Sequence, residues 1–143
     1  MATVYLVPHT HYDVAWAFSK EDYLKINETI LQQALALMKH REFRFCLEQA
    51  FLFKEMETRN PDLFKSLKKM VKSGRIEIVD GQYLRADTML PNGEVLIREI
   101  LVGKQYCKEK FGVDVPVAWA ADSFGMNAQL PQIYKKAGYK WLA

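Results

Sequence analysis

Short apolar runs alternate along this chain with longer stretches in which apolar residues recur every three or four positions. The runs are Thr3-Val4-Tyr5-Leu6-Val7, Phe43-Arg44-Phe45-Cys46-Leu47-Glu48, Arg75-Ile76-Glu77-Ile78-Val79-Asp80 and Val117-Ala118-Trp119-Ala120-Ala121, with Lys140-Trp141-Leu142-Ala143 as the start of a fifth. They are rich in β-branched and aromatic residues, which predicts strands, and runs of this kind belong to parallel sheets covered by helices. Thr3–Val7 in particular reads as a strand buried on both faces. The longer stretches predict helices. Ser19-Lys20-Glu21-Asp22 supplies an N-cap with an acidic residue at N3, and Tyr23, Leu24, Ile26, Ile30, Leu31, Ala34, Leu35, Leu37 and Met38 continue near helical spacing to about His40. A second helix runs from Gln49 to Thr58. A third starts at Asn60-Pro61, an N-cap followed by a proline at the first helical position, and stops at Gly74. A fourth leads from Asn92-Gly93-Glu94 to about Phe111 with Gly112 as its stop, and a short fifth spans Pro131 to Gly138.

This order of elements predicts an α/β protein built of parallel βα units with right-handed crossovers. No linker or shift of composition divides residues 1–143, so they read as one unit without an internal boundary. A complete eight-stranded barrel takes roughly 250 residues. Four units and a start therefore suggest the first part of an incomplete (β/α) barrel, the amino-terminal part of a larger catalytic domain. An open barrel leaves an unpaired edge and an apolar face, so self-association is expected.

Composition narrows the class. Half the residues are hydrophobic and the net charge is only +3, which fits a globular domain and gives little reason to expect nucleic acid. Lys65-Ser66-Leu67-Lys68-Lys69-Met70-Val71-Lys72 reads as a solvated helix face. Cys46 and Cys107 have no CxxC spacing and read as buried thiols. No run reaches the roughly 18 apolar residues that span a bilayer, and no signal-peptide pattern opens the sequence, so a cytoplasmic enzyme without membrane contact is expected.

The candidate chemistry follows the first run. If the chain stays extended past Val7, the period of two puts His9, His11 and Asp13 on one face. Imidazole and carboxylate are zinc ligands at about 2.0–2.2 Å, and functional groups of α/β proteins sit just past the carboxyl ends of strands. A His-x-His pair also arises by chance, and Trp16 fits either a core or the floor of a sugar pocket. Asp122 leaves the fourth run in Asp122-Ser123-Phe124-Gly125 and is expected at the same sheet edge; its plain alternative is an aspartate capping a turn. A carboxylate beside a metal cation stays ionised, as a nucleophile must. The loop from Gly81 to Pro91 is long for a plain connection, and such loops carry function.

His11-Tyr12-Asp13-Val14-Ala15-Trp16 resembles the His-x-Asp-x-Gly-Trp signature of glycoside hydrolase family 38, the retaining α-mannosidases. Asp122-Ser123-Phe124-Gly125 resembles the family's Asp-x-Phe-Gly-His motif, continued by Ala128-Gln129-Leu130-Pro131-Gln132-Ile133. Leu90-Pro91-Asn92-Gly93-Glu94 with Arg98 is similar to the Leu-Pro-Ser-Gly-Glu segment of the bacterial and cytosolic branch. The resemblance implies one Zn²⁺ on His11, Asp13 and Asp122, with Asp122 also the nucleophile, and an α-mannoside substrate. It implies that Trp16 and Phe124 line the sugar subsite, and it places Asp87 near an acidic position of the family. It assigns His9 no ligand role. Ala15 stands for the usual glycine and Met126 for a frequent histidine. The family's general acid/base and fourth zinc ligand match no position up to Ala143, so the isolated chain is expected to be inactive.

Two other readings predict different observations. A metal-dependent amidohydrolase or phosphoesterase would use His9 and His11 as equal ligands. A non-catalytic carbohydrate-binding barrel would keep the mouth without the chemistry.

Overall fold

The computed structural model describes residues 2–143. In chain order the elements are α1 (Lys20–His40), β1 (Phe45–Leu47), α2 (Ala50–Arg59), α3 (Pro61–Lys72), β2 (Ile76–Ile78), α4 (Gly93–Phe111), β3 (Val117–Ala118), α5 (Leu130–Lys136) and β4 (Trp141–Leu142). The helix starts are chemical. Ser19 Oγ accepts the Asp22 amide at 3.2 Å, Asn60 Oδ1 the Leu63 amide at 3.0 Å and Asn92 Oδ1 the Val95 amide at 3.0 Å, each satisfying a donor that the first turn leaves free. Gly112 ends α4 in the left-handed region at φ 73°.

The strands are parallel but shorter than the apolar runs that carry them. β1 pairs with β2 in the register Phe45–Ile76, Cys46–Glu77, Leu47–Ile78, and β3 pairs with β4 as Val117–Trp141 and Ala118–Leu142. A 2.8 Å bond from the Asp80 amide to the Val117 carbonyl joins the two pairs. The strands therefore follow one another in space as they do in sequence, as parallel βα units require.

Thr3–Val7 departs from expectation. These residues form no strand, and Val4, Tyr5 and Leu6 are 80, 85 and 87% exposed. Among the described residues the segment's link to the sheet is a single bridge of His9 to Cys46, with the Cys46 amide donating to the Pro8 carbonyl at 2.9 Å. An apolar run states a preference for burial, whereas a strand exists only where a neighbouring ladder accepts its backbone groups. That ladder begins at Pro8.

The core lies between the strands and one stripe of each helix. In α1 the stripe is Leu24, Asn27, Leu31, Ala34 and Met38, stepping by three and four residues. It meets Leu63, Phe64 and Leu67 of α3 and Phe45, Leu47, Ile76 and Ile78 of the sheet. Arg75 fastens the turn below, donating through Nε to the Phe43 carbonyl (2.8 Å) and through Nη2 to the Arg41 carbonyl (2.6 Å). Cys46 and Cys107 are free and buried. In α4, Gly103 replaces a side chain because a Cβ there would stand 2.3 Å from the backbone of Gly81, Gln82 and Tyr83. This contact presses the loop after β2 onto the helix.

Candidate active site

Each strand that reaches the mouth ends in backbone that side-chain-bearing residues rarely adopt. The non-glycine residues with positive φ among those described are Gln49 (65°) after β1, Asp80 (61°) after β2 and Asp122 (55°) after β3. Such conformations cost of order 1–3 kcal/mol each and persist where the surroundings fix them. Two of the surrounding clamps are visible. Gln49 Nε2 donates to the Tyr12 carbonyl at 2.8 Å, and the Asn27 amide donates to the Tyr12 hydroxyl at 3.1 Å. Tyr12 is thus buried and held by the cap of α2 and by α1, which fixes His11 and Asp13 on either side of it.

His11 Nε2 lies 3.3 Å from Asp122 Oδ2 and 3.8 Å from Asp13 Oδ1. A small cavity of about 170 Å³ opens there, bounded by His11 and Asp13, by Arg85 to Asp87, and by Asp122 to Phe124. The loop after β2 is tied to the Asp122 turn by Thr88, whose hydroxyl donates to the Gly125 carbonyl at 2.8 Å. Gly125 (φ 78°) is needed at that contact, since a Cβ would stand 2.9 Å from Met89 Cγ.

Behind the imidazole stands a buried ion pair. Arg85 Nη1 donates to Glu48 Oε2 at 2.7 Å, with side chains 9 and 2% exposed, and Arg85 Nη2 donates to His11 Nδ1 at 2.5 Å. Glu48 Oε1 is 3.7 Å from the same Nδ1. Burial pushes the Glu48 carboxyl up to about 7, outweighing the opposing pull of the Arg85 guanidinium. Beneath the mouth, burial raises the fully enclosed Asp80 carboxyl to about 6, although Gln82 Nε2 donates to its Oδ1 at 2.8 Å.

The donor set suits a hard or borderline cation. Two ligand atoms each about 2.0–2.2 Å from a tetrahedral metal stand roughly 3.3–3.6 Å apart, and the two carboxylate distances to Nε2 bracket that range. His11 Nε2 is itself buried without a hydrogen-bond partner, so its lone pair or proton meets no protein group that satisfies it. Among the described residues, however, no three His, Cys, Asp or Glu side chains converge closely enough to enclose an ion. The site holds the donors around one nitrogen and not a closed cage.

Asp13 and Asp122 each approach His11, and Asp87 and Phe124 line the same cavity. Asp87 Oδ1 also accepts the Met89 amide at 3.0 Å. Phe124 is 74% and Trp16 82% exposed, and Trp16 does not line the cavity. His9 points elsewhere, its ring set edge-on to Trp119 with centroids 5.1 Å apart. Sequence reasoning overlooked Glu48, Arg85 and Tyr12. The rule that function sits past strand ends, applied to β1 and β2 as it was to the first and fourth runs, points to Glu48 and to the loop bearing Arg85.

The sequence profile described as the glycosyl hydrolases family 38 N-terminal domain matches residues 1–143. The human protein named alpha-mannosidase 2C1 is 30% identical over 139 residues, which is 96% of this chain and 13% of that protein. The Saccharomyces cerevisiae protein named alpha-mannosidase is 29% identical over 140 residues, with the same 96% and 13% coverage. The crystal structure of an alpha-mannosidase from Enterococcus faecalis V583 superposes with a TM-score of 0.86 at 26% identity, covering 95% of this chain and 16% of that one. The chain thus spans only a small part of the length of the proteins it matches.

Proposed function

Because the chain belongs to glycosyl hydrolase family 38, we propose that it carries part of the active site of a zinc-dependent, retaining α-mannosidase. The observation that carries the reading is the meeting of His11 Nε2 with Asp122 Oδ2 at 3.3 Å, two residues drawn from opposite ends of the sequence. His11, Asp13 and Asp122 would hold the ion. Zinc, when bound, polarises hydroxyls of the mannose ring. Asp122 is the nucleophile: one carboxylate oxygen bonds to the anomeric carbon as the bond to the leaving oxygen breaks, giving a glycosyl ester on Asp122 that water then hydrolyses. Its side chain is 60% exposed, open to a substrate. A second carboxylic acid must protonate the leaving oxygen about 5–5.5 Å from the nucleophile. Phe124, Asp87 and Trp16 would contact the sugar.

The expected location is the cytoplasm; no helix among the described residues is long and apolar enough to cross a membrane. Self-association through Val4, Tyr5, Leu6 and Trp141, all exposed, is part of the same proposal, and sedimentation at increasing concentration tests it. The amidohydrolase reading gains no support from His9, whose ring lies against Trp119.

Covalent trapping tests the assignment. Incubation of the full-length protein with an activated, fluorinated α-mannoside should leave one glycosyl adduct on the peptide containing Asp122. An adduct on another residue would remove Asp122 from the role.

A further inference from the structure

Arginine carries five N–H donors and no acceptor, and it does not lose its proton in proteins. The 2.5 Å contact from Arg85 Nη2 to His11 Nδ1 therefore requires a lone pair on Nδ1. In a neutral imidazole the proton then sits on Nε2, the nitrogen that faces Asp122 and Asp13. A metal needs the opposite tautomer, with the lone pair on Nε2 and the proton on Nδ1. An acceptor for that second state stands in place: Glu48 Oε1 is 3.7 Å from Nδ1, and the same atom is buried without a hydrogen-bond partner. The two competing partners of Nδ1 are themselves bound to each other through Arg85 Nη1 and Glu48 Oε2 at 2.7 Å.

We propose that Arg85 and Glu48 are positioning residues that set the tautomer of His11, Arg85 holding it in the form that cannot bind a metal and Glu48 receiving the Nδ1 proton in the form that can. The inference rests on the reading of His11 as a ligand through Nε2, but its first half concerns the metal-free protein alone. Loading requires a small rearrangement: Arg85 gives up Nδ1 while keeping Glu48, the proton passes from Nε2 to Nδ1 through solvent, and Glu48 Oε1 closes on Nδ1–H. No net charge changes at the imidazole. The cost of displacing a charge-assisted hydrogen bond appears as weakened metal affinity.

Nitrogen-15 labelling of histidine in the full-length protein and long-range proton–nitrogen spectra, with His11 assigned by its loss in a His11→Gln variant, read the tautomer directly. The metal-free protein should show His11 with its proton on Nε2, and titration with Zn²⁺ should convert it to the Nδ1–H form. Finding Nδ1–H before metal is added overturns the proposal. Arg85→Met should move metal-free His11 to Nδ1–H and tighten zinc binding about tenfold, the equivalent of one charge-assisted hydrogen bond. Arg85→Lys keeps the charge, so a tightening caused only by removing a cation is absent from it. An unchanged tautomer in Arg85→Met, with circular dichroism matching the parent, also overturns the proposal. Should the Met variant misfold, the spectrum of the unmodified protein still decides. If the tautomer behaves as stated but neither protein binds Zn²⁺, the tautomer control stands and the zinc reading falls.

Discussion

His11 Nε2 and Asp122 Oδ2 stand 3.3 Å apart across the mouth of the sheet, although one residue precedes α1 and the other follows β3. The approach depends on Tyr12, clamped between Gln49 and Asn27, and on the left-handed backbone of Asp122. In this arrangement the carboxylate is both a neighbour of the candidate metal ligand and exposed to solvent.

Asp122→Asn keeps the size of the side chain but removes its nucleophilic oxygen charge. In the full-length protein kcat toward an aryl α-mannoside should fall by at least about 10³-fold, the scale on which covalent nucleophiles are lost. Steady-state kinetics beside an unfolding curve separates this from misfolding. A drop of less than tenfold would assign the bond-making step to another residue.

His9→Ala should leave zinc content unchanged, because the His9 ring packs against Trp119 rather than facing His11. Metal analysis of the purified variant checks this. Loss of the metal would favour the paired-histidine reading over the one proposed.

Asp80 predicts the direction of pH dependence. Its carboxyl is fully buried and raised to about 6 from an ordinary 3.8. Between those values the folded protein holds a proton that the unfolded chain has released, so stability falls as pH rises through this window. Thermal unfolding at pH 4, 5 and 7 should show Tm declining, and Asp80→Asn, which mimics the protonated acid toward Gln82, should flatten the decline. Glu48 contributes in the same direction.

Gly103→Ala should cost roughly 3 kcal/mol, since the new Cβ would meet backbone at 2.3 Å and rigid main chain cannot yield as a side chain does. Urea unfolding measures it. The same substitution should weaken substrate binding, because α4 fixes the loop that carries Arg85 and Asp87.

The helices were legible in the sequence because their signals are local: Ser19, Asn60 and Asn92 cap where their side chains predict, and Gly112 stops α4. The parallel pairing was legible from the order of the runs. The extent of the first strand was not, because the apolar character of Thr3–Val7 expresses what these residues would bury and says nothing of whether a ladder lies beside them. In the site, periodicity grouped His9 with His11 and Asp13, but the chain bridges β1 at His9 and turns that ring toward Trp119. Glu48 and Arg85 stayed hidden because a buried ion pair is a relation between distant residues. No spacing rule joins a strand-end glutamate to an arginine in a later loop.

The most direct test of the central claim is hydrolysis of an aryl α-mannoside by the full-length protein before and after treatment with a chelator. Turnover that is lost on chelation and restored by Zn²⁺ is the predicted result. Turnover that survives complete removal of metal, or hydrolysis of other glycosides with no activity on α-mannosides, would contradict it.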